Sequence, residues 1–378
     1  MAKKKTGRFS SFLNNPIDFT LLIVILLLLS LGLTMVLSAS SPSALAEDGN
    51  SYSYFFKQAI FAVAGLCMMW FISKIDYRFY KKYYILAYIV AIISLVAVIA
   101  IGREVNGAKR WIYFTDALSF QPSELVKFLM IIFYAALLTK NRDRLEKYGK
   151  GFWFHIILVA PIIALLLLEP HFSSSIVIIG IVAVMMIVAG CKFWHFLVTG
   201  AVVGVPAIIG LVALAPYRLQ RVITFLDPWQ DATGDGWQVI QSLYAIGSGG
   251  LFGAGLGESK QKYLYIPEPH NDFIFSILGE ELGFIGCAIV LILFAIFIWR
   301  GILIAMRAPD MFGSLIAVGI TAQVAIQVII NIAVVTSSMP ATGMPLPFFS
   351  YGGSSLFILL CEMGVLLNIS KAGAKNKQ

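Results

Sequence analysis

The feature that most limits what this chain can become is a series of apolar runs, each close to 20 residues long, recurring from end to end. An α-helix rises about 1.5 Å per residue, so a run of that length spans the roughly 30 Å hydrocarbon core of a bilayer. The first, Phe19 to Leu37, carries no charge at all. None of the runs alternates apolar with polar residues, which excludes a closed β-barrel. With 59% hydrophobic and 13% charged residues, the chain also has too little polar surface to cover a soluble fold. The expected fold is therefore an all-α polytopic membrane protein of about ten transmembrane helices. Its spans lie near residues 17–39, 57–73, 83–101, 121–138, 152–168, 173–190, 195–214, 271–298, 312–336 and 352–369. Lys3, Lys4, Lys5 and Arg8 precede the first run as a signal peptide's basic start would. That run is long for a signal's apolar core, however, and many like it follow, so it reads as a retained helix.

An even number of spans puts both termini on one side, and basic residues concentrate in cytoplasmic connections. Most of the 28 Lys and Arg fall on the side of the termini, which are thereby expected to be cytoplasmic. The domain reading is a tail over 1–16, one membrane domain over 17–369 and a tail over 370–378, with no soluble domain at either end. The net charge of +8 is then a topology signal and an attraction to anionic lipid, not a sign of nucleic-acid binding. Cys67, Cys191, Cys287 and Cys361 lie in or beside apolar spans without metal-ligand spacing and read as small buried residues. No nucleotide-type phosphate loop or zinc signature is present, which argues against an ATP-driven pump.

The polar residues that break the pattern are the informative ones. A large outer loop, 215–271, separates the seventh and eighth spans, and long loops of this kind usually carry function. Its glycine-rich stretch, Gly247 to Gly257, is followed by Lys260 and Lys262, which would suit a phosphate-bearing ligand or, equally, a flexible loop with lysines at the headgroup level. Pro267-Glu268-Pro269-His270-Asn271-Asp272 leads into the eighth span and places Asp272 in its first turn, where a plain helix-capping carboxylate is the alternative to chemistry. Glu280 and Glu281 lie about 12 Å deeper along that helix and must face protein or water. Gln323, Gln327 and Asn331 form one polar stripe on the ninth span, best read as helix-to-helix glue, and Glu362 on the tenth shares the ambiguity. The fourth span must begin near Gln121-Pro122 and so carries Glu124 and Lys127 on one face, as a structural ion pair or as a holder of a charged substrate group. The loop before it is unusually basic for an outer loop, with Arg103, Lys109 and Arg110 beside Trp111.

Three blocks carry a family resemblance. The first is Asn106-Gly107-Ala108-Lys109-Arg110-Trp111 with Phe120-Gln121-Pro122-Ser123-Glu124-Leu125-Val126-Lys127. The second runs from Pro267 through Asp272 to Gly279-Glu280-Glu281-Leu282-Gly283, and the third is Ala341-Thr342-Gly343-Met344-Pro345-Leu346-Pro347-Phe348-Phe349-Ser350-Tyr351-Gly352-Gly353-Ser354-Ser355. In this order, over essentially the full chain, they resemble the SEDS family (shape, elongation, division and sporulation), and Gly257 to Lys262 looks more like its FtsW and SpoVE branch than its RodA branch. Two positions depart from the family's usual pattern: Asn271, where Thr is frequent, and Glu169-Pro170-His171, where an Asp often follows the Pro.

The resemblance implies a peptidoglycan glycosyltransferase that polymerises lipid II on the outer face of a bacterial cytoplasmic membrane, paired with a class B penicillin-binding transpeptidase and other division proteins. It matches Asp272 to the family's catalytic aspartate, a general base acting on the acceptor hydroxyl with inversion at the donor's anomeric carbon. Glu124 and Lys127 match motif positions as substrate-binding residues, and His270, in the same motif as Asp272, is also expected to bind substrate. Lys109, Arg110 and Lys260 are nominated from charge and side to stabilise the departing diphosphate. No organic cofactor is implied. A divalent cation, Mg or Mn, bridging diphosphate and carboxylate is compatible with the chemistry, although no ligand set is visible. The Pro345 to Tyr351 turn is expected to shape the outer wall of a substrate groove. A lipid flippase or transporter, which would need the deep groups Glu280, Glu281 and Gln327, and a non-catalytic division scaffold remain the alternatives.

Overall fold

The computed structural model describes residues 17–105, 108–115, 118–213, 216–234, 236–263 and 265–374. Among the described residues, seven helices are long and apolar enough to cross a membrane: α1 (Phe19–Asp48), α2 (Ser53–Ile72), α3 (Tyr84–Ile101), α4 (Pro122–Lys140), α11 (Ile274–Arg307), α12 (Met311–Val335) and α13 (Gly353–Ala374). Three shorter apolar stretches hold the remaining expected positions. They are α5 (Trp153–Leu168), α6 (Phe172–Val188) and a segment in which α7 (Phe193–Thr199) passes through a π-helical turn, Gly200–Gly204, into α8 (Val205–Ala213).

Local chemistry sets the helix starts. Asp18 accepts the Leu21 amide at 2.9 Å to open α1, Asp310 accepts the Gly313 amide at 2.9 Å to open α12, and Pro122 occupies the first turn of α4, where its missing N–H costs nothing. Charges near α1, α11 and α12 are matched at their ends, with Arg300 on Asp18, and Arg78 and the Tyr77 hydroxyl on Asp310. In their most apolar windows α4, α12 and α13 are 83%, 67% and 72% buried, whereas α2, α3 and α11 are each 22% buried. The first group is therefore the centre of the bundle, and the second turns most of its apolar surface outward to lipid. Within the bundle α12 packs against α11, α6 and α4, and α13 lies along α2. The last contact is close because Gly353 has no side chain: a Cβ there would sit 2.2 Å from the Phe61 ring.

Two expectations are corrected. The fold is not wholly α-helical, because the segment before α4 forms a three-stranded antiparallel meander of β1 (Arg103–Val105), β2 (Ala108–Thr115) and β3 (Leu118–Phe120), in the order β1-β2-β3. Trp111, Ile112, Tyr113, Phe114 and Thr115 are the β-branched and aromatic residues that favour such strands. Asn106 and Gly107 of the first sequence block lie outside the described residues. The outer loop 215–271 is also not a loose connection, since it contains α9 (Pro216–Leu226), a 3₁₀ turn (Pro228–Asp231) and α10 (Trp237–Ser248).

Its glycine-rich stretch is pinned to α11. That helix is interrupted at Gly283 (φ 65°, ψ −166°), and the open backbone pairs with the loop: Ala254 and Gly255 donate to the Glu280 and Glu281 carbonyls, while Phe284 and Ile285 donate to Gly250 and Leu251. Only glycine fits at 283, because the dihedrals are closed to other residues and a Cβ would lie 2.3 Å from the Gly253 nitrogen. The two glutamates complete the lock. The Glu280 carboxylate accepts from the Ser259 hydroxyl at 2.5 Å and the Lys260 amide at 2.9 Å, and the Glu281 carboxylate accepts from Lys262 Nζ at 2.9 Å and the Ser38 hydroxyl at 2.6 Å. Removing one member of a buried pair leaves an uncompensated charge. Glu281→Ala should thus destabilise the fold by about 3–5 kcal/mol, and Lys262→Met combined with Glu281→Leu should recover most of the loss in thermal unfolding measured in detergent. Equal losses in the single and double variants would show that the pair is not what fixes this segment.

Candidate active site

Between β2, α4, the start of α6, the segment before α11 and the turn 343–352 lies a cavity of about 730 Å³. Its floor is the polar stripe of α12. Asn331 donates from Nδ2 to the Asp272 carbonyl at 2.8 Å and to the Met344 carbonyl at 2.7 Å, which fixes both the turn before α11 and the turn before α13. Gln323, two turns away on the same face, donates to the Glu362 carboxylate at 2.9 Å. The stripe therefore does act as glue, as its spacing suggests, but Gln323 and Gln327 also line the cavity. Asn331 and Gln323 are eight residues apart, about 12 Å along the axis of α12.

Asp272 lies just ahead of α11 rather than in its first turn, and no side-chain capping bond is made there. The carboxylate lines the cavity opposite Gly343, whose Cβ, if it had one, would be 3.7 Å from Asp272 Oδ2. Burial pushes the carboxyl up to about 6, against the pull of its own backbone N–H; Glu268 pushes the same way and Arg221 opposes. It is thus ionised at neutral pH and poised to take a proton.

His270 is packed between the rings of Tyr54 (4.7 Å between centroids) and Tyr351 (5.6 Å), and burial pushes it down to about 4 although Glu47 stabilises its cation. It is a neutral wall residue of the cavity, held by the Tyr351 amide that donates to its carbonyl at 2.8 Å. Ser350 donates to the Asn271 carbonyl at 2.6 Å and accepts the Leu346 amide at 2.7 Å. The Pro345 to Tyr351 turn does form cavity wall.

On the other side, Glu124 lines the cavity and accepts from Lys127 Nζ at 2.8 Å, with both side chains buried. Lys127 itself stays behind the wall, acting through its partner. Arg110 reaches the cavity from β2 and donates to the Pro170 carbonyl. Beside it, burial pushes Glu169 up to about 8 against the pull of Arg110, and pushes His171 down to about 3, with Arg110 and Lys127 adding to the shift. Burial thus favours the neutral form of both side chains.

Two of the cations nominated from the sequence lie away from the cavity, and one that was not nominated lines it. Lys109 is exposed and Lys260 is exposed, and neither lines the cavity. Alternation along β2 turns Lys109 to the opposite face from Arg110, and the Lys260 segment is drawn away to Glu280 by its backbone amide. The cation that sequence reasoning missed is Arg221 on α9, which lines the cavity, donates to the Ala341 carbonyl at 2.9 Å and acts on Asp272. Its signal was available in the amphipathic run Tyr217 to Leu226 but was masked by reading the whole loop as irregular. Among the described residues no three His, Cys, Asp or Glu side chains converge to hold a metal ion.

The family model for the cell cycle proteins FtsW, RodA and SpoVE matches residues 19–375. The chain belongs to this family. It is 45% identical over 356 residues to the stage V sporulation protein E of Bacillus subtilis, covering 94% of this chain and 97% of that one. It is 42% identical over 361 residues to a probable peptidoglycan glycosyltransferase FtsW of Trichlorobacter lovleyi, covering 95% and 94%. Among solved structures it resembles a chain from work on the structural coordination of polymerization and crosslinking by a peptidoglycan synthase complex (TM-score 0.79, 29% identity, 94% and 98% coverage). The rod shape determining protein RodA of Thermus thermophilus is also similar (TM-score 0.70, 26% identity, 94% and 96% coverage). In this family member the cavity thus gathers Asp272, Glu124, Arg110 and His270 of the expected residues, with Lys127 one bond behind.

Burial raises two carboxyl groups of this region to different extents, which infrared difference spectroscopy can read. A carboxyl band titrating near pH 6 should vanish in Asp272→Asn, and one near pH 8 should vanish in Glu169→Gln. Ionisation of both groups well below pH 6 would show that the cavity is wetter than the geometry indicates.

Proposed function

We propose that this protein is a peptidoglycan glycosyltransferase that joins lipid-linked disaccharide units on the outer face of the bacterial cytoplasmic membrane. The ten apolar segments act as ten spans with both termini inside. The observation that carries the reading is Asp272: a carboxylate raised to about 6, open to a 730 Å³ cavity in a family member whose relatives are named for this reaction. Asp272 takes the proton from the acceptor's sugar hydroxyl as the oxygen attacks the donor's anomeric carbon. The new glycosidic bond forms as the bond to the diphosphate breaks, and attack opposite the leaving group inverts the centre. Glu124, held by Lys127, and His270 orient the substrate. The cavity arginines meet the charge on its diphosphates, in a site partly shielded from water where such contacts are strong.

Of the deep groups a flippase would need, Glu280 and Glu281 are engaged by the 254–262 segment and by Ser38, Ser259 and Lys262, and Gln327 alone lines the cavity, which favours the polymerase over the flippase. We further propose that a class B penicillin-binding transpeptidase is the working partner in division or sporulation and that the isolated chain is only weakly active.

Polymerisation of purified lipid II by the detergent-solubilised protein with its transpeptidase tests the reading. A positioned general base contributes on the order of 10²–10⁴ in rate, so Asp272→Asn and Asp272→Ala should lose at least that lower factor while still binding lipid II. Wild-type activity should fall as pH drops through about 6, because the base is then protonated. Full activity in both variants would sink the assignment of the base.

A further inference from the structure

The cavity has two charged ends: Asp272, Glu268 and Arg221 line it beside the Gly343 turn, and Arg110, Glu124 and His171 line it beside β2, α4 and α6. The second end contains the start of α6, a helix of 17 residues whose first turn carries Ser173 and Ser174, both lining the cavity. The first amides of a helix have no partner in its own ladder, and they carry the positive end of its dipole. In α6 the residue at the capping position is His171, which makes no capping bond. It is 6% exposed and lines the cavity; its Nε2 meets the Ser174 hydroxyl at 3.1 Å, and its Nδ1 has no partner. When Ser174 donates to Nε2, Nδ1 carries the proton and is a buried donor without an acceptor. A helix start, two serine side chains, an imidazole N–H and a guanidinium on one wall match the needs of a phosphate-bearing anion.

We propose that the N-terminus of α6, with Ser173, Ser174, His171 and Arg110, is the subsite that holds the diphosphate of the glycosyl donor. The assignment rests on the polymerase reading above and adds which of the two lipid-linked substrates sits where. In an in-line displacement the base and the leaving group lie on opposite sides of the reacting carbon. Asp272 accepts the acceptor's proton, so the acceptor occupies the Asp272 and Arg221 end. The bond between the donor's anomeric carbon and its diphosphate oxygen breaks at the α6 end. The electron pair leaves with that oxygen, and the helix start and Arg110 receive the added charge.

Farnesyl diphosphate binding to the purified full chain in nanodiscs, with farnesol and inorganic pyrophosphate as parallel probes, tests the subsite. Charge-assisted hydrogen bonds are worth about 1.5–3 kcal/mol each, or roughly tenfold and more in affinity. Arg110→Gln and the double variant Ser173→Ala, Ser174→Ala should therefore each weaken farnesyl diphosphate by about tenfold or more. Asp272→Asn should bind it as wild type does, farnesol should not bind at the site, and pyrophosphate should compete. Arg110→Lys, which keeps the charge but loses the fork, should fall between wild type and Arg110→Gln, and a wild-type unfolding midpoint certifies that each variant is folded. Unchanged binding in Arg110→Gln and in the double serine variant, with loss in Arg221→Gln, would overturn the subsite and leave the polymerase standing. Failure of the wild-type complex to polymerise lipid II would instead overturn the polymerase reading, and with it the donor assignment, whatever the binding data show.

Discussion

A charge carried into the membrane region must find a partner there, and this fold is arranged around two such pairings. Glu281 with Lys262 ties the segment before α11 to the break in that helix, and Glu124 with Lys127 stands in the first turns of α4. The first pair, with Glu280 and its serine and amide donors, turns a glycine-rich stretch into a fixed insertion and so determines where the chain emerges before α11. The second keeps a carboxylate on the cavity wall without leaving a lone charge in a low-dielectric setting. Neither pairing is a reservoir of stability, since both groups of each pair are desolvated. What they supply is a defined geometry.

With Glu281 and Glu124 ion-paired and Glu280 and Glu362 held by neutral donors, many of the remaining polar groups converge on one cavity. Asn331 links Asp272 to the Met344 turn, Gln323 reaches Glu362, and Ser350 joins the turns before α11 and α13. These contacts make the cavity floor and two of its walls parts of one hydrogen-bonded unit. The carboxylate of Asp272 is left facing the cavity, with Glu268 and Arg221 setting its charge from the same end. The arrangement suits a reaction in which a hydroxyl loses a proton at one end and an anion departs at the other.

Much of this was legible in the sequence because the bilayer imposes a strict rule on length. Apolar runs of about 20 residues match the seven helices that, among the described residues, are long and apolar enough to cross a membrane, and the short distance between Lys127 and Lys140 forced the start of α4 back to Pro122. Side-chain spacing identified the α12 stripe. The missed features depend on contacts that spacing cannot see. The meander rests on pairing between β1, β2 and β3, and Lys109 fell on the wrong face because the segment was read as a loop. Gly247 to Gly257 looked like a cradle for a ligand, whereas its backbone answers an interrupted helix more than 20 residues later. Arg221 was hidden for the same reason, since the amphipathic order of α9 matters only once the loop is known to fold.

The central claim is that two lipid-linked sugars meet in this cavity with the Asp272 side chain at the reacting hydroxyl. The most direct measurement is a cryo-electron microscopy structure of the Asp272→Asn protein with lipid II bound. The account predicts sugar density in the cavity, with a hydroxyl within hydrogen-bond reach, about 3 Å, of the side chain at position 272. Headgroup density against the Glu281 and Lys262 face, with this cavity left empty, would contradict it.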